Sequence, residues 1–140
     1  MVESIERCMA GLAEGVSGLT RAELYDRLEA VGRLDAVLGS VKARIVAAVD
    51  ALDDRGADGA TVLRSATKCS SRSAKQVARR AEALEHMPTV AERFASGRLS
   101  AESVDVLVGA AEQTSVAAVD ADDRLRRMVE TRPADLARRE

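Results

Sequence analysis

The chain has 140 residues, of which 46% are hydrophobic and 1% aromatic, and its net charge is −2. This length predicts one domain with a single core. Ala, Val and Leu dominate the apolar residues, with only nine Gly and two Pro, which favours helices over a meandering sheet. The small net charge argues against a protein that binds polyanions over its whole surface. We expect an all-α, multi-helix bundle with no sheet.

The N-terminal residues bear on the compartment. Glu3 and Glu6 lie where a secretory signal would carry positive charge, and no apolar run of about 18 residues follows. We therefore expect a cytoplasmic protein with no membrane partner. Cys8 and Cys69 form no CxxC pair, which predicts free thiols and no disulfide.

The first predicted elements are a short N-terminal segment and one long helix. Residues 1–19 contain Gly11, Gly15 and Gly18, so we expect a flexible segment or short helix there. Residues 20–140 are predicted to form a single helical domain. Thr20 and Glu23 fit a capping box that opens a helix reaching about residue 53. Such a helix would span roughly 50 Å, so it should protrude, pair with a second chain, or break near Gly32 or Gly39.

The second half of this helix carries an apolar seam with alternating spacings of three and four residues. Its members are Leu34, Leu38, Val41, Ile45, Ala48 and Leu52. This spacing is typical of helices that pair along one stripe. Two interpretations stay open: the seam is buried against later helices of the same chain, or Leu34, Leu38, Val41, Ile45 and Leu52 form a homodimer contact.

The remaining chain predicts a series of shorter helices, each with a recognisable start. Asp58 and a serine at 70 or 71 are candidate N-caps of the next two helices, Pro88 fits the first turn of another, and Ser100 caps a fourth. Further helices are expected at about 115–130 and from Thr131 onwards. The chain ends inside the last of these, so we expect a domain truncated at its C-terminus.

Charge is distributed unevenly along the chain. Residues 59–81, the basic segment, contain six cations and no acidic residue: Arg64, Lys68, Arg72, Lys75, Arg79 and Arg80. Residues 82–123, the acidic segment, contain two basic and nine acidic side chains. The basic segment has the outline of a helix-turn-helix whose second helix has a basic face. This predicts contact with duplex DNA, whereas the alternatives are a solvated face or neutralisation by the acidic segment.

The side chains available on the basic segment favour phosphates over bases. Gln76 is the only amide on this face and the chain contains no Asn, so groups that read adenine are scarce. Tyr25 and Phe94 are the only aromatic residues, which is too few for a platform that stacks unpaired bases. We therefore predict that the six cations contact DNA phosphates.

No motif predicts catalysis, a metal or a small-molecule cofactor. His86 is the only histidine, and neither cysteine has a partner that would activate it. No calcium loop and no Gly-rich phosphate loop is present. The acidic residues of Asp120–Asp123 are interpreted as a solvated helix face. We expect a chain that is not an enzyme.

From Leu34 onwards the sequence resembles the actinobacterial 13E12 repeat family, also called domain of unknown function 222. The matching stretches are LDAVLGSVKARIVAAVDALDDRGADGAT and SSRSAKQVARRAEALEHMPTVAERFASGRLSAESVDVLVGA. Their order follows the family's Ala/Arg-rich helix, its LP turn and its G-x-L-S turn, at Ala74, Val77, Ala81, Leu84, Pro88, Ala95, Gly97, Leu99, Ser100 and Val104. Where the family often has a tryptophan before the serine turn, this chain has Val62 or Ala66.

The resemblance implies the helical N-terminal domain of an HNH endonuclease-associated protein that holds or orients DNA. An HNH site needs a histidine base, a metal ligand and an Asn, whereas this chain has one His and no Asn. Any nuclease part would lie beyond Glu140. Two alternatives stay open: an interaction or oligomerisation domain without nucleic acid, and a truncated family member without activity.

Overall fold

A computed structural model describes residues 1–113, 116–122 and 127, and within them the chain is all-α with no strand. One turn of 3-10 helix, Val16–Gly18, follows the first helix. The α-helices are α1 (Val2–Gly11), α2 (Arg21–Asp50), α3 (Gly59–Thr67), α4 (Ser71–Leu84), α5 (Pro88–Ala95), α6 (Ala101–Gln113) and α7 (Val116–Ala121). The predicted all-α fold is confirmed. The rest of the helix expected at 115–130, and the one expected from Thr131, lie outside the described residues.

The predicted starts of α2, α3, α4 and α6 are confirmed by their hydrogen bonds. The Thr20 hydroxyl accepts from the backbone N–H of Glu23 at 3.2 Å, and the Glu23 carboxylate accepts from the N–H of Thr20 at 3.2 Å. Asp58 accepts from the N–H three residues later at 2.8 Å, and Ser70 and Ser100 accept in the same way at 3.0 and 3.1 Å. Polar side chains therefore satisfy N–H groups that a helix start leaves unpaired.

Helix α2 runs without a break through Gly32 and Gly39 and ends at Asp50. Its first half, Arg21–Asp35, contributes no buried residue. The buried residues of α2 are Ala36, Ser40, Ala43 and Val46. The second half of α2 is therefore the part that packs against the other helices.

The core lies where α2, α5, α6 and α7 meet. Met87, Val90, Phe94, Val104 and Leu107 are completely buried and belong to one cluster. A smaller cluster joins α2 to α4 through Ala43, Val46 and Ala81. Small side chains on α2 allow the neighbouring helices to pack closely against it. Gly39 is the clearest case, because a Cβ at this position would lie 2.7 Å from Cζ of Phe94 in α5.

Asp120 of α7 is a buried structural residue, and its interpretation as part of a solvated helix face was wrong. Its side-chain oxygens accept from the backbone N–H of Val90 at 2.9 Å and of Thr89 at 3.3 Å. Met87 precedes α5 and offers no side-chain cap. A carboxylate 30 residues later in the sequence thus supplies the cap of α5.

Candidate nucleic-acid interface

Helices α3 and α4 are joined by a three-residue turn, Lys68–Ser70. Lys68 adopts the left-handed conformation, with φ of 61°, and its N–H donates to the carbonyl of Arg64 at 2.9 Å. This conformation is typical of residues that end a helix. Ser70 then caps α4. Arg64, Lys68 and Arg72 are thereby placed around the junction of the two helices.

Four of the six predicted cations lie exposed at this junction or just after it: Arg64, Lys68, Arg72 and Lys75. Within the part of the chain that the structure describes, their side chains form no salt bridge. Their positive charges are thus available to a partner. An unpaired surface cation is the group with which proteins neutralise a nucleic-acid phosphate.

Arg79 is exposed but shares its charge with the acidic segment. Its Nε donates to Oε1 of Glu112 on α6 at 3.1 Å, and its Nη2 donates to the same oxygen. More than half of each side chain is solvent-exposed, so the pair is a surface ion pair of small energetic weight. The carboxylate nevertheless reduces the attraction of Arg79 for a phosphate.

Arg80 is a packing residue rather than a surface cation. Only 7% of it is exposed. Its Nε and Nη2 each donate at 2.8 Å to a different oxygen of Asp105 on α6. Gln76 donates to the same carboxylate at 2.8 Å. The prediction that Arg80 contacts phosphate is therefore corrected, because its guanidinium is buried and engaged by a carboxylate.

Arg79 pairs with Glu112 and Arg80 pairs with Asp105. These two ion pairs neutralise part of the basic segment with carboxylates of the acidic segment, which is one of the expected alternatives. Among the described residues, two of the six cations are paired in this way. Sequence reasoning could not identify these two, because Glu112 and Asp105 are brought to α4 only by the packing of α6. The one available signal was weak: in a helical projection Arg80 lies at the edge of the basic face, next to the apolar side.

Lys75 also borders a cleft that is lined by acidic groups. Lys75 and Arg79 line a cleft of about 520 Å³ together with Asp50, Asp58, Glu82 and Glu85. Hydrogen bonds from the side chain and the backbone N–H of Thr61 lower the pKa of Asp58, so this carboxylate keeps its negative charge. Phosphate is repelled from this cleft. The surface open to an anion is therefore the α3–α4 junction, at Arg64, Lys68 and Arg72.

The carboxylates of the cleft do not form a metal centre. Within the described ranges, no three His, Cys, Asp or Glu side chains are placed to hold a metal ion. Asp50 and Asp58 each accept a backbone hydrogen bond at the start of α3, from Gly59 at 2.7 Å and from Thr61 at 2.8 Å. Their role in the structure is to fix the loop between α2 and α3.

The apolar seam of α2 lies on the helix side opposite to its buried residues. With about 100° between successive residues, Leu34, Leu38, Val41 and Ile45 point away from Ala36, Ser40 and Ala43. Leu38 is 46% exposed and Ile45 is 57% exposed. The interpretation that later helices of the same chain bury the seam is therefore wrong. Leu52 lies beyond the end of α2 and is also exposed.

We call Leu34, Leu38, Val41 and Ile45 the outer face of α2. Its aliphatic side chains are larger than the Ala and Ser that the same helix buries. Exposed apolar side chains that form a continuous patch mark interaction sites more often than single exposed ones do. The outer face is a second candidate surface, distinct from the α3–α4 junction.

Comparison of the chain with protein-family models, with curated proteins and with solved structures finds no match. Within the described residues, no helix combines the length and the apolar character needed to cross a bilayer. Support for a function therefore comes from the chain's own residues.

Proposed function

We propose that this chain is a non-catalytic helical module that contacts duplex DNA through phosphates at the α3–α4 junction. The observation that carries the proposal is the group of exposed cations at this junction that form no salt bridge within the described residues: Arg64, Lys68 and Arg72. The resemblance to the N-terminal domain of HNH endonuclease-associated 13E12 proteins supports it. Under this proposal the chain orients DNA in the cytoplasm and cleavage belongs to a separate nuclease domain.

The chemistry of the junction predicts binding without strong sequence preference. Phosphate contacts fix position and orientation but carry no sequence information. Three such contacts would give a slope of about −2.7 in a plot of log K against log salt concentration. Binding should then be weak at physiological salt, with a Kd of roughly 10⁻⁴–10⁻⁶ M.

The direct test is binding to a fluorescent duplex at several salt concentrations. We expect R64A/R72A to weaken binding on two unrelated duplexes equally and to reduce the salt slope by about 2. R7A/R21A is the matched control, because it removes the same charge from exposed residues in α1 and α2. Equal losses in both variants, or no binding by the wild type at low salt, would exclude the proposed site.

Lys68→Gly separates charge from folding. Glycine favours the left-handed conformation that Lys68 adopts, so this variant removes a cation without straining the turn. We expect it to weaken DNA binding while its melting temperature stays at or above that of the wild type. Unchanged affinity would remove Lys68 from the interface.

A second function, self-association, is favoured by a different observation. The outer face of α2 exposes Leu38, Val41 and Ile45 along one line. We expect a concentration-dependent dimer in sedimentation velocity experiments, and dissociation in L38Q/I45Q. Val106→Gln is the matched control, because Val106 is similarly exposed but lies on α6. A monomer at all concentrations would refute self-association and leave the DNA proposal untouched.

A further inference from the structure

The outer face of α2 has an edge with two opposite charges that have no partner in the described residues. Asp35 and Lys42 are both exposed and are seven residues apart on the same side of the seam. Neither takes part in a salt bridge with another described residue. Seven residues are close to two helical turns, so the two charges flank the seam at its N-terminal and central parts.

These charges distinguish the two ways in which two copies of α2 can pair. In a parallel pair, the positions opposite Asp35 and Lys42 are Ala30 and Val37 of the second copy, so no ion pair forms. In an antiparallel pair with Leu38 opposite Val41, Asp35 of each copy lies opposite Lys42 of the other. Two symmetric ion pairs then form, since a two-fold axis repeats every contact.

We propose that the outer face of α2 pairs with the same face of a second copy in an antiparallel arrangement, with Leu38 packed on Val41 and Asp35 paired with Lys42. This inference rests on the self-association proposed above and adds the register and direction. Charge complementarity of this kind fixes register. The other edge of the face contains Val37 and Arg44, which would face each other in this arrangement without a like-charge contact.

The N-terminal segment supports the same register. Met9, Leu12, Val31 and Leu34, together with Asp35, line a largely apolar cavity of about 220 Å³ beside the seam. Arg27 holds the end of α1 there, donating from Nη1 to the carbonyl of Leu12 at 2.7 Å. In the antiparallel register Ile45 of the second copy lies opposite Leu34, at this cavity. The most exposed side chain of the outer face thus meets an apolar depression.

Charge reversal with rescue tests the arrangement. We expect D35K and K42D each to raise the dimer Kd about tenfold or more, because each single reversal places two like-charge pairs in the dimer. The double variant D35K/K42D restores both pairs with their signs exchanged. Its Kd should return to within about threefold of the wild-type value, a difference well below 1.4 kcal/mol.

The outcomes separate this inference from self-association itself. Dissociation of L38Q/I45Q together with wild-type affinity in D35K and K42D would show a dimer of another register and overturn the antiparallel pairing. Weakening in both single variants without rescue in the double variant would overturn it as well. A wild-type chain that stays monomeric would refute self-association and the inference together. Melting temperatures of all variants confirm that each remains folded.

Discussion

The substitution Gly39→Ala tests the orientation of α2, on which the exposure of its outer face depends. Gly39 faces α5: a Cβ at this position would lie 2.7 Å from Cζ and 3.2 Å from Cε1 of Phe94. Phe94 is completely buried, so its ring has little room to move away. Because the Gly39 position faces Phe94, the side chains of Leu38 and Val41 lie on other sides of the same helix, where they are exposed.

Two opposing effects decide the magnitude. Alanine in place of glycine inside a helix stabilises by about 1 kcal/mol. Overpacking of a well-filled core destabilises by about 1–3 kcal/mol, and a Cβ below 3.0 Å from a buried ring belongs in the upper part of that range. We expect a net loss of about 1 kcal/mol, which lowers Tm by roughly 3–5 °C for a chain of this size.

The assay is thermal unfolding followed by circular dichroism, with two control variants. Gly32 lies in the same helix and Gly109 in α6, and a Cβ at either position meets no atom within 4 Å. Gly109→Ala should therefore raise Tm by roughly 3–5 °C, and Gly32→Ala should not lower it. If Gly39→Ala raises Tm as much as Gly109→Ala does, Phe94 does not pack on Gly39. An α2 helix that turns its small side chains toward α5 would then be refuted.

Three further predictions concern stability. Arg80→Ala should lower the free energy of unfolding by about 2–4 kcal/mol in urea, because it leaves Asp105 without its bidentate partner. A decrease in this free energy of less than about 0.5 kcal/mol would show that the pair is dispensable. Asp120→Ala should destabilise by about 1–2 kcal/mol through loss of the cap on α5, and unchanged protection of the α5 amides in hydrogen exchange would contradict this. Hydrogen bonds from Thr20 and Thr61 lower the pKa values of Glu23 and Asp58 in the folded state. The two carboxylates therefore stabilise the fold at pH values above their unfolded-state pKa values. This stabilisation is lost as the pH falls through their folded-state pKa values. Melting temperatures between roughly pH 6 and pH 3 should fall less steeply in E23Q/D58N than in the wild type, and identical slopes would argue against the two caps.

The α3–α4 junction shows how far sequence reasoning reached for the candidate site. The absence of acidic residues between 59 and 81 located the basic segment, and the caps at Asp58 and Ser70 located its two helices. The sequence could not show that Arg80 is buried, because its position on the helix lies at the boundary between the apolar and polar sides. Its partner on α6 is 25 residues away, and no local pattern relates the two.

Within the residues that the structure describes, the sequence by itself determined the helices and the residues that start them. Caps, proline and glycine act within a few residues of one another, so their effects are readable along the chain. Only the tertiary structure decided which side of α2 faces the core. Heptad spacing is equally compatible with burial inside one chain and with pairing between two. The contact of Gly39 with Phe94 settles that question. The side of α2 with Ala36, Ser40 and Ala43 faces the core, and the side with Leu34, Leu38, Val41 and Ile45 is exposed.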